Sequence, residues 1–183
     1  PYTTLFRSGI ANATTGKSYT DLATAVAEAQ SGDTIKLGKG NYTLYGVSSV
    51  GHTKGKSLTF EGLGADKTAW NIGAKVPNPD YYGTEYNGDY SFDGAGTVTF
   101  KNMTLRSGSA NYLGFIRADK TVVDGCVISG KTFYWGYASA EFKSTTFNAP
   151  SGDYALWTYS SPTMTFDNCT FNDGLTIVGD YHA

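Results

Sequence analysis

Few residues in this 183-residue chain are of the types that chemistry requires, and their spacing keeps most of them apart. His52 sits in Val50-Gly51-His52-Thr53, read as a loop, and His182 lies near the last residue. Either ring could act as a general base, but a lone loop histidine is more often solvated than catalytic. Cys126 and Cys169 could form a disulfide or begin a metal set. Two cysteines are too few for a disulfide framework, and no histidine or third cysteine completes a zinc set. Arg106 and Arg117 follow strand ends with no carboxylate beside them in sequence and read as covers for an edge. The aromatics Trp70, Tyr81, Tyr82, Tyr86 and Tyr90 fall in an irregular stretch, 66–91, among Asn and Asp. That mixture is the make-up of a sugar-binding platform, and long loops tend to carry function. The plainer reading is a loop folded against the protein by its own aromatics.

The elements that must position these groups are mostly strands. Glycine (23) and tyrosine (14) are abundant, and only 16% of residues are charged, for a net charge of −2. Thr, Ser and Asn are frequent, so the composition fits a glycine-punctuated all-β protein. No Lys/Arg run forms the basic stripe that a nucleic-acid binder needs. No apolar stretch approaches the roughly 20 residues of a membrane span. Residues 1–8 read back as a nucleotide string resembling a short-read sequencing adapter, so Phe6 and Arg7 are given no functional weight. The chain is accordingly expected to be a fragment, open at both ends, with 9–18 as a lead-in.

One helix is expected, from about Asp21 to Gln30, within a capping segment 19–32. Thr20 is read as its N-cap, Asp21 as favouring the positive end of the dipole, and Gly32 as its C-terminal stop. Leu22, Ala25, Val26 and Ala29 form one apolar stripe. A helix this short needs a surface to cover.

From residue 33 onward the pattern has period two and repeats. Leu58–Leu63, Val98–Leu105, Val122–Ile128, Glu141–Phe147 and Thr165–Phe171 share one template. Apolar anchors at 37, 60, 100, 123, 142 and 166 are separated by 23, 40, 23, 19 and 24 residues. The step of 40 is either two coils or one coil with a long insertion. A second column, Phe115, Trp135, Trp157 and Ile177, keeps a period near 20, with Phe133, Tyr137 and Tyr159 at even offsets for inward aromatic stacking. Two columns with one period indicate a solenoid. Gly62, Asn102, Gly125, Ser144 and Asn168 follow the anchors by two and suit a left-handed bend, Ser144 the weakest of them. The bend shifts the phase, so Met103, Cys126, Thr145 and Cys169 should point inward together.

The run from Tyr19 to Tyr42 resembles the helix cap and first coil of pectin-lyase-like right-handed β-helix proteins, and the Phe-x-Asn-Cys-Thr-Phe template resembles their later coils. The later coils are also similar to uncharacterised surface proteins of gut bacteria. The resemblance, over roughly 19–178, implies an all-β, right-handed single-stranded parallel β-helix (solenoid) with a short N-terminal capping α-helix. It says little about function, because that fold hosts lyases, hydrolases, tailspikes and adhesins.

The lyases of that family would need an outward acidic cluster for Ca²⁺ with a basic partner. Here the outward residues after the anchors are Glu61, Lys101, Asp124, Lys143 and Asp167, alternating in sign. Asp124 and Asp167 should lie two coils, about 10 Å, apart, too far to share an ion held by bonds near 2.4 Å. The cysteines are likewise two coils apart, beyond disulfide reach, and read as small buried hydrophobes. The Asn-Thr-Asp, Asp-Asp and Gly-His-Gly motifs of the family's hydrolases are absent. The expectation is therefore a non-catalytic extracellular or cell-surface module, contacting polysaccharide or surface glycans, with no cofactor or metal. The alternative is a polysaccharide lyase or glycoside hydrolase whose active site lies on coils beyond Ala183.

Overall fold

The computed structural model describes residues 9–43, 55–72, 96–107, 113–114, 118–129, 132–133, 139–148, 156–158, 163–172 and 177–179. The chain opens with strands β1 (Ile10–Asn12) and β2 (Ser18–Tyr19), then helix α1 (Leu22–Glu28). Strands β3 (Thr34–Leu37) and β4 (Gly40–Thr43) follow, then β5 (Thr59–Glu61) and β6 (Thr68–Ile72). The next repeat holds β7 (Thr97–Lys101), β8 (Thr104–Ser107) and β9 (Leu113–Gly114), and its successor β10 (Lys120–Asp124), β11 (Val127–Ser129) and β12 (Thr132–Phe133). Two further repeats supply β13 (Ser139–Lys143), β14 (Thr146–Asn148) and β15 (Leu156–Thr158), then β16 (Thr163–Asp167), β17 (Thr170–Phe171) and β18 (Ile177–Gly179).

Each repeat contributes one strand to each of up to three sheets. The first sheet runs β16-β13-β10-β7-β5-β3-β1-β2, the second β17-β14-β11-β8-β6-β4 and the third β18-β15-β12-β9. Every pairing is parallel except the two that β1 makes with β2 and β3. Mostly parallel, stacked sheets of this kind are compatible with a β-helix-like solenoid. The strand β1 lies in the segment expected to be only a lead-in.

Inward side chains stack in register. Ile35, Phe60, Phe100, Val123, Phe142 and Phe166 are successive partners in the first sheet. Phe60 thus pairs directly with Phe100, so the 40-residue step is one repeat with an insertion and not two repeats. The first anchor is Ile35, where the spacing pointed to Leu37. Period two places both on the inner face, and Leu37 is instead the partner of Ile10. In the second sheet the column is Tyr42, Trp70, Leu105, Ile128, Phe147 and Phe171.

The helix is shorter than its sequence pattern. Asp21, not Thr20, is the N-cap: it accepts the Thr24 N–H at 2.7 Å and the Thr24 hydroxyl at 2.9 Å. At the other end Lys56 Nζ donates to the carbonyls of Val26 (2.8 Å) and Ala27 (2.7 Å), a cation on the negative end of the dipole. The expected stop, Gly32, has φ +97° but lies past the Ala29 cap, in the turn to β3. Leu22, Ala25, Val26 and Ala29 are buried in one core cluster with Ile10, Ile35 and Leu58.

The bends are left-handed where expected at Asn102 (φ +54°), Gly125 (+63°), Ser144 (+45°) and Asn168 (+52°). Ser144 makes the same bend as its neighbours. Gly62 is the exception, since its φ is not positive. A side chain there would meet the Asn102 carbonyl at 2.5 Å and the Thr68 Cβ at 2.8 Å, so glycine is required by space.

Candidate functional site

The outer face of the first sheet carries a file of charged residues that runs from strand to strand. Lys36, Glu61, Lys101, Asp124, Lys143 and Asp167 are successive register partners, alternating in sign over six strands. They share the outer face because each sits one residue after an inward anchor and strand side chains alternate faces. Lys36 Nζ lies 3.6 Å from Glu61. Glu141, on the same face, receives Lys120 at 2.5 Å and Lys143 at 3.1 Å. The hydrogen bond from Lys120, then that from Lys143, holds the Glu141 carboxyl below the ordinary carboxylate range. Its bond to Glu141 holds the Lys143 ammonium above its ordinary value.

This arrangement suits attraction along the stack better than acid catalysis. A general acid needs its proton held on near neutrality, whereas Glu141 is pushed toward the ionised form. Asp124 and Asp167 have Lys143 in register between them, as expected. Among the described residues no group of three or more His, Cys, Asp or Glu could hold a metal ion.

The cysteines occupy a structural column. Cys126 Sγ donates to the Phe100 carbonyl at 3.6 Å, Thr145 Oγ1 to the Val123 carbonyl at 3.3 Å, and Cys169 Sγ to the Phe142 carbonyl at 3.3 Å. Each thus reaches the anchor of the preceding repeat, beside a bend. Thr68 Oγ1 does the equivalent work earlier, donating to the Gly38 carbonyl at 2.9 Å. Thr68 was not singled out by sequence because residues 63–67 lengthen its bend. Both cysteines are free, and burial pushes the Cys126 thiol up to about 12.

The expected aromatic platform divides. Trp70 is not in a loop: it lies in β6, only 1% exposed, edge-on to Phe60 (4.7 Å between centroids) and Phe100 (5.4 Å). It has no face to offer a sugar. Tyr81, Tyr82, Tyr86 and Tyr90 fall outside the described residues, as do His52, His182, Arg117, Phe115, Trp135, Tyr137 and Tyr159. The expected second column changes register: Trp157 pairs with Phe133 and Val178, not with Trp135 and Ile177. Arg106 Nη2 donates to Asn41 Oδ1 at 3.1 Å, joining strands of two repeats. The residues that sequence reading missed are Thr68, Lys56 and the Lys120–Glu141 pair. Lys120 and Glu141 were legible as same-face residues of adjacent repeats.

Compared with known proteins, the chain matches no protein-family model, no curated protein and no solved structure.

Proposed function

We propose that this chain is a section of a right-handed parallel β-helix of the pectin-lyase-like kind, displayed outside the cell or on a bacterial surface. Its role is to contact glycans without cleaving them. The observation that supports this most is the sign-alternating file from Lys36 to Asp167. It sets a lysine in register beside each carboxylate of the file, which suits a surface of balanced charge better than a poised acid–base pair. The aromatic core stacks hold that surface in fixed register, which suits display. Tyr81, Tyr82, Tyr86 and Tyr90 are proposed as the glycan platform, with Trp70 removed from it to the core.

A glycan array probed with the purified chain tests this reading. Binding to at least one glycan class is expected, with at least tenfold loss in a Tyr81→Ala, Tyr82→Ala double variant. Equal binding by the variant would remove the platform. Release of unsaturated uronates or reducing ends from any bound polysaccharide would replace display with catalysis.

A further inference from the structure

The file from Lys36 to Asp167 has a property that its separate pairs do not: in reverse order it is its own electrostatic complement. Lys36, Glu61, Lys101, Asp124, Lys143 and Asp167 follow one another strand by strand, lysine and carboxylate in strict alternation. None of the six is buried, and the side chains of Lys36, Glu61 and Lys143 are 40%, 33% and 46% exposed. Beside them runs a second outward file of mostly short side chains, Thr34, Thr59, Thr99, Val122, Glu141 and Thr165. With its charges balanced, the first file favours neither a polyanion nor a polycation. A fitting partner must alternate in sign at the strand spacing, about 4.8 Å. A second copy of this chain does so.

We propose that the outer face of the first sheet is an interface between two copies of this chain, stacked face to face about a two-fold axis between Lys101 and Asp124. The axis runs along the strands, so the partner's strand order is reversed and each file lies over itself. Lys36 then meets Asp167 of the partner subunit, Glu61 meets Lys143 of the partner subunit, and Lys101 meets Asp124 of the partner subunit. The other charges of this face also avoid their like. Glu141 meets Thr59 of the partner subunit, and Lys120 meets Thr97 of the partner subunit. A two-fold axis along the stack would instead set lysine on lysine, so the charges select one orientation. The contact is isologous and closes at two copies. Pairs between exposed groups are weak and screened by salt, so the dimer forms at low ionic strength and dissociates as salt is added.

The test is sedimentation velocity of the 183-residue chain from about 0.01 M to about 1 M salt, over which the screening length falls from about 30 to about 3 Å. Lys101→Glu sets two like pairs at the axis. The double exchange Lys101→Glu with Asp124→Lys restores both as opposite pairs. Arg106→Glu makes the same change of charge on the second sheet. The expected result is a low-salt dimer weakened roughly tenfold or more by Lys101→Glu, recovered by the double exchange and kept by Arg106→Glu. Circular dichroism shows that each variant is folded, and Lys101→Gln, which removes the charge without reversing it, gives the same direction where a reversed chain does not fold. A monomer at every salt concentration would overturn the proposal, as would a dimer that salt leaves intact. So would a dimer indifferent to Lys101→Glu, or a double exchange as weak as the single one.

Discussion

The rings of Phe60 and Phe100, forty residues apart in sequence, are stacked with centroids 5.6 Å apart and planes 18° from parallel. Trp70 stands edge-on to both. Residues on either side of the long insertion are therefore neighbours in one core, and this trio binds the N-terminal repeats to the later ones.

Replacing Phe100 or Trp70 by Ala should cost about 3–5 kcal/mol, the range for truncating a buried aromatic. Leu63, which is 41% exposed, should cost under about 0.5 kcal/mol when made Ala. Urea unfolding followed by circular dichroism gives all three values. A Trp70→Ala variant as stable as the parent would return Trp70 to the surface.

Thr121 is fully buried in the inward column between Val98 and Ala140, and its hydroxyl has no hydrogen-bond partner among the described residues. Thr121→Val removes a desolvated hydroxyl at nearly constant shape. A stability gain of about 1 kcal/mol is expected, read as a higher urea midpoint at unchanged m-value.

The two thiols should differ sharply. Cys126 is buried with its pKa pushed up to about 12, whereas Cys169 is partly exposed. Under native conditions a thiol reagent should modify Cys169 first and reach Cys126 only on unfolding. Cys126→Thr should retain stability within about 1 kcal/mol, because Thr145 already makes the equivalent bond one repeat later. Cys126→Ala should lose more.

Glu141 gives a pH signature. Its folded carboxyl sits below its ordinary value, chiefly through Lys120 and then Lys143. Its contribution is fully present above the unfolded value, about 4.3. It fades as pH falls through the lower folded value. Melting temperatures of the parent and Glu141→Gln should therefore differ at neutral pH and converge in acid. The difference should also shrink in high salt, since the pair is partly exposed.

At the bends, Ser144 bears a left-handed backbone that Asn tolerates better. Ser144→Asn should raise stability by about 1 kcal/mol. Gly62→Ala should lower it, because its new methyl would strike the Asn102 carbonyl. Thermal melts of the two variants check both signs.

Much of the fold was legible because strand periodicity and coil length are written directly into apolar spacing. The sign-alternating outer file and the inward Cys/Thr column followed from that register. Trp70 was hidden because residues 63–67 place it ten residues after its anchor, where later repeats need five. Leu37 and Ile35 share one face, so only the pairing with β5 could choose between them. The shift of Trp157 onto Phe133 reflects repeats of unequal length, which a fixed period of 20 cannot follow. The helix ends eluded the sequence because its C-terminal cation comes from Lys56, far along the chain.

The central claim, contact with glycans without cleavage, is tested most directly by measuring binding and polymer length in one sample. The purified chain is incubated with acidic and neutral polysaccharides, and retained polymer is sized after recovery. Retention of at least one polysaccharide at unchanged length is the predicted result. Shortened polymer, or no retention of any, would contradict it.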